Sequence, residues 1–204
     1  MRLPRFPLLA LVIVLGACWR PAGPVENPDP NHTHADFSVW VNGEHLDFSA
    51  AELMSGAPDA EHPEGEHAPQ LHKYLHLHDG NGTVVHRHKP GLTLQEFFAS
   101  LQVGFEESCY VSFAPMADGQ ICDEDGNPWR MFVNGEEQPF DLSYVFTDLD
   151  RILLTTSAEQ EDIDKQLAGI TDDACLYSQT CPERGKPPVE NCVADPAVPC
   201  VQPE

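Results

Sequence analysis

Residues 72–88 read HKYLHLHDGNGTVVHRH, and their alternation on either side of DGNG predicts a β-hairpin. We expect a type I turn at Gly80–Asn81 with Gly82 in the left-handed conformation, which sets His76 opposite His86. Side chains two residues apart in a strand share a face. This register therefore puts four imidazoles on one face, those of His76, His78, His86 and His88. A two-residue turn at Gly80–Asn81 instead splits them between the two faces.

A cluster of histidines on one face predicts a metal site, because imidazole is the commonest metal ligand in proteins. Further nitrogens come from NHTHADF upstream, so the candidate ligands are His32, His34, His76, His78, His86 and His88. Asp36 and Asp79 are the nearest carboxylates, and they either bind the ion or orient a ligand histidine. Zinc or copper is the expected cofactor, although imidazole alone does not choose among transition metals. Two metal-free alternatives remain open: a hydrogen-bonded histidine network and a solvated polar face.

The N-terminus predicts export and attachment to a membrane. Residues 1–17 combine two arginines with an apolar run that is too short to cross a bilayer, as in a secretory signal peptide. The sequence LGAC that ends at Cys18 resembles a bacterial lipobox, which implies cleavage before Cys18 and acylation of that residue. Membrane lipid is then the expected partner, and the cell envelope the expected location. The alternative is an ordinary signal peptide followed by a chance cysteine.

The other cysteines predict disulfides. The chain has seven cysteines, so an even number remains after Cys18 is removed, as expected of an exported protein. Cys109 and Cys122 flank one loop and are expected to pair. The remaining four have three possible connectivities among themselves: Cys175, Cys181, Cys192 and Cys200. No C-x-x-C is present, which argues against a thiol oxidoreductase, and the spacing of the four does not match paired zinc knuckles.

Charge and motifs narrow the function classes. A formal net charge of −22 argues against nonspecific nucleic-acid binding. The sequence contains no Gly-x-Ser-x-Gly elbow and no phosphate-binding loop. A binding module is therefore favoured over an enzyme.

Local signals outline the elements around the hairpin. Asn-Gly pairs between alternating apolar residues predict two more hairpins, turning at Asn42–Gly43 and Asn134–Gly135. Thr93 and Glu96 form a capping box that begins a long helix. Gly104 is expected to end that helix as a left-handed cap.

Changes in composition divide the chain. A short amphipathic helix, roughly Ala158–Leu167, is expected to begin after Ser157 as its N-cap and to bury Ile163 and Leu167. Beyond it we expect an irregular tail held by its cysteines alone. The expected units are a signal peptide (1–17), a proline-rich tether (18–30), a β-rich globular domain (31–156), the amphipathic helix (157–170) and the Cys/Pro-rich tail (171–204).

One long helix among many strands predicts the α+β class. The pieces VNGE, TLQEFFASL, MFVNGE and TDLDRILLTT resemble a β-grasp fold of the sulfur-carrier type, which implies a mixed sheet with one long helix. Sulfur carriers end in Gly-Gly, and this chain does not. The resemblance therefore implies a fold and no activity.

A second resemblance covers residues 32–167. HTHADF, GNGTVVHRHKPGLTL, the CY…C spacing at Cys109 and Cys122, and FVNG followed by DRILLTT are similar to an uncharacterised family of exported archaeal and bacterial proteins. Some members carry a protein-disulfide-isomerase label. That activity is not expected here, because no redox-active cysteine pair is visible.

Together these features predict a lipid-anchored, extracytoplasmic module that captures or buffers a divalent transition metal. Ligand histidines must be neutral, so we expect metal affinity to fall as the pH drops through about 6.5, the ordinary imidazole pKa. A metal-dependent envelope enzyme with an open coordination position is one alternative. A metal-free cell-surface interaction domain is the other.

Overall fold

A mixed β-sheet forms the centre of the computed structural model, which describes residues 25–55, 72–113, 119–186 and 188. The strands are β1 (Thr33–Val41), β2 (Glu44–His45), β3 (Leu75–His76), β4 (Val84–Arg87), β5 (Val103–Glu106), β6 (Cys109–Ser112), β7 (Gly119–Cys122), β8 (Arg130–Val133), β9 (Glu136–Gln138) and β10 (Arg151–Thr155). The α-helices are α1 (Leu94–Ser100), α2 (Gln160–Gly169) and α3 (Ala174–Tyr177), with 3₁₀ turns at Ala51–Leu53 and Pro182–Arg184. The predicted α+β class is confirmed.

The order of the strands places β1 at the middle of the main sheet. Among the described residues this sheet runs β3-β4-β1-β10-β8-β9, with β2 also paired to β1, while β5-β6-β7 form a second sheet. β1 is parallel to β10 and antiparallel to β4. His34 of β1 lies opposite His86 of β4, which lies opposite His76 of β3. The predicted pairing of His76 with His86 is therefore confirmed.

Both faces of β1 are buried. Alternate residues on one face, including Phe37 and Val39, join the main core, where the Phe37 ring packs edge-on against Phe97 of α1 at 5.4 Å. The opposite face carries His34 and Asp36, which are equally inaccessible to solvent. A strand with polar residues at every second position usually exposes them, so another part of the chain must cover this face.

The C-terminal helices supply that cover. α2 packs Ile163 against Phe132 and Leu153 of the sheet, in a second, smaller core that also includes Ile170. α3 contacts β1 directly. The expectation that the tail beyond Gly169 is held by cysteines alone is wrong for residues 171–178, because hydrogen bonds to β1 also hold them.

α1 begins as predicted and ends earlier. Thr93 caps it, with the Glu96 side chain completing the capping box. The helix spans seven residues, and Gln102 (φ 59°) adopts the left-handed conformation that was expected of Gly104. Gly104 instead lies in β5, where it pairs with Val111. The predicted long helix is therefore short, because a strand begins almost immediately after its last turn.

α2 also differs in its first turn. The N-cap is Glu159 rather than Ser157, and Glu159 makes no side-chain capping hydrogen bond. Ser157 instead accepts a hydrogen bond from the Gln166 side chain at 2.7 Å. Ile163 is fully buried and Leu167 is partly buried, as the apolar spacing predicted.

The histidine hairpin has the predicted register but a different turn. Positive φ angles fall on Asp79 (59°) and Gly80 (70°) and not on Gly82. The side-chain oxygen of Asn81 then accepts hydrogen bonds from the amides of Thr83 and Val84. Hydrogen bonds to the Asn81 side chain thus stabilise the loop, in place of the bulge predicted at Gly82.

Gly82 is required by close packing rather than by its backbone conformation. A Cβ at this position would lie 2.5 Å from the carbonyl carbon of Phe48 and 2.5 Å from the amide nitrogen of Ser49. Both contacts are with backbone atoms, which cannot rotate away. The hairpin loop therefore sits directly on the chain that follows β2.

We expect Gly82→Ala to lower the free energy of unfolding by about 1–3 kcal/mol, since the added methyl group forces two backbone segments apart. Gly104→Ala is the matched control, because a Cβ there meets no atom within 4 Å. Urea unfolding followed by circular dichroism measures both. An equal effect of the two substitutions would contradict the packing argument.

Two disulfides are present in the described residues. Cys109 and Cys122 are bonded across β6 and β7, as predicted. Cys175 is bonded to Cys181, one of the pairings left open for the tail. Cys192 and Cys200 lie outside the described residues, as do Cys18, the predicted signal peptide and most of the predicted tether. No helix within the described residues has the length and apolar character needed to cross a membrane.

Candidate metal centre

Three neighbouring strands align histidines in one row. His34, His86 and His76 are lateral partners on β1, β4 and β3. They occupy the face of the sheet opposite the α1 core, and their exposed fractions are 1%, 0% and 3%. Cross-strand neighbours have Cβ atoms about 5 Å apart. The sheet itself therefore holds these three side chains within reach of one another.

The structure brings together all six histidines that the sequence singled out. Their imidazoles form a closed ring in which each contacts the next, with centroid separations from 3.9 to 5.9 Å. In order around this histidine ring they are His32, His34, His86, His78, His76 and His88. Histidines from the start of β1 and from both strands of the hairpin thus share a single site.

One part of the histidine ring has the spacing of a metal site. His32, His34 and His86 each offer a ligand atom, and these atoms all lie within 4.8 Å of one another. Ligand nitrogens on a tetrahedral ion with bonds of about 2.0–2.1 Å stand roughly 3.3 Å apart. Small rotations of the rings would therefore bring all three nitrogens onto one ion.

Hydrogen bonds determine which nitrogen of His86 carries the proton. Nδ1 of His86 lies 3.1 Å from Nε2 of His78, whose Nδ1 lies 2.7 Å from a carboxylate oxygen of Asp79. An ionised carboxylate only accepts hydrogen bonds, so Nδ1 of His78 donates to it. In a neutral ring, Nε2 of His78 then accepts from Nδ1–H of His86. The lone pair of His86 is consequently on Nε2.

His34 is oriented by a relay of the same kind. Its Nδ1 lies 2.7 Å from the hydroxyl oxygen of Ser178, which donates its proton to Asp148 at 2.6 Å. The serine oxygen therefore accepts from Nδ1–H of His34, and the lone pair is again on Nε2. Metal-binding histidines commonly donate their second ring nitrogen to a carboxylate or to a group that leads to one. His34 and His86 both have this arrangement.

Tyr177 of α3 lies over the histidine ring. Its aromatic ring meets His86 edge-on at 4.6 Å and lies 5.5 Å from His34 and 5.8 Å from His78. Its hydroxyl oxygen accepts a hydrogen bond from the side chain of Asn81 in the hairpin loop. Tyr177 therefore ties the C-terminal segment to the hairpin across the top of the histidines.

The two predicted carboxylates have different positions. Asp79 hydrogen-bonds His78, at the end of the first relay. Asp36 directs its oxygens away to the C-terminal segment, where they accept from the Thr171 hydroxyl and from the amides of Asp173 and Ala174. Burial raises the pKa of Asp36 above its ordinary value, although these hydrogen bonds act in the other direction. Asp36 thus binds the C-terminal segment that covers the site, and not a histidine as predicted.

Sequence reasoning missed three residues of the site: Asp148, Tyr177 and Ser178. Asp148 lies in a turn before β10, and the other two lie in the segment expected to be irregular. No motif or spacing relates any of them to the histidines. Asp148 reaches the site because it precedes β10, which pairs with β1. Tyr177 and Ser178 reach it because α3 folds back onto β1.

Comparison of the chain with protein-family models, with curated proteins and with solved structures finds no match in any of the three. The resemblance to a family of exported proteins therefore stays a prediction. The histidine ring itself is therefore the feature that points to a function.

We expect Asp36→Asn to release the C-terminal segment from β1, since a charged acceptor of three hydrogen bonds is lost from a buried position. Hydrogen bonds to charged groups contribute about 1.5–3 kcal/mol each, so unfolding should become easier by at least that amount. Amide exchange should accelerate in residues 171–178. Asp125→Asn, at an exposed position, is the control. Unchanged exchange in residues 171–178 would contradict this role for Asp36.

Proposed function

We propose that this protein captures or buffers a divalent transition metal, zinc or copper, through His32, His34 and His86. The observation that carries the proposal is the convergence of three imidazole ligand atoms within 4.8 Å. Neutral imidazole nitrogen suits zinc and copper, and a thiolate is not required. No reacting group needs to be invoked for capture, so we do not propose an enzyme.

The protonation pattern favours a metal site over a histidine network that only stabilises the hairpin. Both relays end on a carboxylate and leave Nε2 of His34 and of His86 as the basic nitrogen. Rings oriented in this way are ready to bind a cation without first changing tautomer. The rigid strands also limit the conformational entropy that binding would cost.

Burial adds to this argument. His34 and His86 have almost no contact with solvent, so an ion between them would lose most of its water and interact strongly with the ligand nitrogens. His32 is less deeply buried and lies at the rim of the site. A metal ion would enter past His32, which makes capture from solution feasible.

To test metal binding, zinc and copper are titrated calorimetrically into the purified full chain. We expect one ion per chain with micromolar or tighter affinity. Loss of an outer hydrogen-bond partner of a ligand usually lowers metal affinity by roughly 10–100-fold. Loss of a ligand itself should lower the affinity at least as much, so His34→Gln and His86→Gln should bind metal far more weakly. His45→Gln is the matched control, because His45 is exposed on β2.

Circular dichroism spectra and melting temperatures of the metal-free variants show whether each one is folded. If a substitution at His34 or His86 unfolds the chain, His32→Gln still tests the site, because His32 is the less buried ligand. Absence of binding by the native chain would refute the proposal. Equal losses in His32→Gln and His45→Gln would refute this ligand set.

We also propose that the protein is a lipoprotein of the cell envelope, anchored through acylated Cys18. The support is the LGAC sequence at the end of the apolar run, together with disulfides, which form in oxidising compartments. Several acyl chains on one residue would hold the chain firmly to a bilayer.

Changing Cys18 to Ser should move the protein from the membrane fraction to the soluble fraction and abolish incorporation of labelled fatty acid. Cys109→Ser, which affects a cysteine bonded within the fold, should leave labelling unchanged. Fractionation and labelling in a bacterial host measure both variants. Persistent membrane association of Cys18→Ser would contradict lipid anchoring at this residue.

We further propose that the main sheet is a β-grasp. The support is its strand order, with the parallel pair β1 and β10 at the centre, β4 and β8 on either side, and α1 between β4 and β8 in the chain. In this arrangement the histidine ring lies on the face of the sheet away from α1. The proposal concerns architecture and implies no sulfur-carrier activity.

A further inference from the structure

A small covalent loop lies against the candidate metal ligands. The bond between Cys175 and Cys181 closes a loop with a sequence separation of six. Within this loop, Tyr177 and Ser178 are the residues that contact the histidine ring. Ser178 is 1% exposed. We call residues 175–181 the disulfide loop.

We propose that Ser178 and Tyr177 are positioning residues for the metal site, and that the Cys175–Cys181 disulfide holds them in place. The metal affinity of the chain then depends on whether this one disulfide has formed. This inference rests on the proposed function, because it concerns how the same three ligands are oriented.

Ser178 determines which nitrogen of His34 carries the proton. A neutral imidazole can carry its proton on either nitrogen, and only the nitrogen without the proton binds a metal. Ser178 accepts from Nδ1–H of His34 while donating to Asp148, so it selects the tautomer that leaves Nε2 basic. Without the serine oxygen, His34 loses the partner that favours this tautomer.

Tyr177 controls the surroundings of His86. Its ring stands perpendicular to the imidazole at a centroid distance of 4.6 Å and limits the rotation of that side chain. The hydrogen bond from Asn81 to its hydroxyl oxygen fixes the tyrosine in turn. The two positioning residues therefore act on two different ligands from one short segment.

The disulfide loop cannot depend on local helix formation for its shape. α3 has only four residues, and helices that short are not stable by themselves in water. Asp36 binds the amides at its first turn, and the disulfide closes the chain after its last residue. Arg184 forms ion pairs with Asp172 and Asp173 nearby, but these groups are substantially exposed, and surface ion pairs contribute little.

Opening the disulfide would therefore free the end of the loop that carries Ser178. The serine would then separate from His34 for part of the time, and tautomer selection would weaken. Disulfides form outside the reducing cytosol. The site would become fully competent to bind metal only after the chain has reached an oxidising compartment.

The test compares two disulfide variants and two serine variants of the full chain. Cys175→Ser/Cys181→Ser opens the disulfide loop, and Cys109→Ser/Cys122→Ser opens the other disulfide, which lies in the second sheet. Ser178→Ala removes the relay. Ser100→Ala is the control, because it removes the hydroxyl of another buried serine, which donates a hydrogen bond within α1. Zinc affinity is measured for each by competition with a chromogenic chelator.

We expect Ser178→Ala and Cys175→Ser/Cys181→Ser to weaken zinc binding by about 10–100-fold, the usual effect of losing an outer-shell partner. The two controls should bind zinc as the native chain does. Nitrogen-15 chemical shifts of the metal-free protein report the tautomer of His34, and both test variants should lose the preference for protonated Nδ1. A residue that only stabilised the fold would lower the melting temperature without changing this signal in the folded protein.

The outcomes separate this inference from the proposed function. If the native chain binds zinc and His34→Gln does not, but both test variants bind as tightly as the native chain, the positioning role is refuted and the metal site stands. Equal losses in the test and control variants also refute it. If the native chain binds no zinc, the proposed function fails and this inference fails with it.

Discussion

The structure depends on the burial of both faces of β1. One face joins the apolar core beneath α1, while the other presents His34 and Asp36, which cannot remain buried without hydrogen-bond partners. The C-terminal segment provides these partners by folding back across the sheet. Closing the fold and assembling the histidine site are therefore one event. The parallel pairing of β1 with β10 positions the chain so that its C-terminal segment can cover the face of the sheet that carries His34.

This arrangement explains how the histidines of the site are spaced and oriented. Strand pairing sets the spacing of the histidines, and two hydrogen-bond relays set the direction of their lone pairs. One relay ends on Asp79 inside the hairpin, so it is local. The other passes through Ser178 to Asp148, so it exists only when three distant segments have assembled. Metal binding would consequently stabilise the folded chain as a whole, because an ion that binds only the assembled ligands favours the native state.

Local signals predicted local structure well. The Asn-Gly turns, the capping box at Thr93 and the pairing of His76 with His86 all depend on residues a few positions apart, and all are present. One error arose where a more distant segment intervened. Gly82 was assigned to a left-handed turn position, but it is glycine because the backbone at Phe48 passes too close for a side chain. The end of α1 is a local error, because Gly104 pairs with nearby Val111 in a hairpin that replaces the last part of the predicted helix.

By itself, the sequence determined that histidines would gather on one hairpin, that Cys109 would pair with Cys122, and that the class would be α+β. These outcomes follow from strand periodicity, turn chemistry and cysteine spacing, which act over short distances. Only the tertiary structure decided that His32, His34 and His86 converge and that Ser178 orients His34. His34 and Ser178 are 144 residues apart. Contacts at such separations depend on how whole elements pack, and no local pattern encodes that.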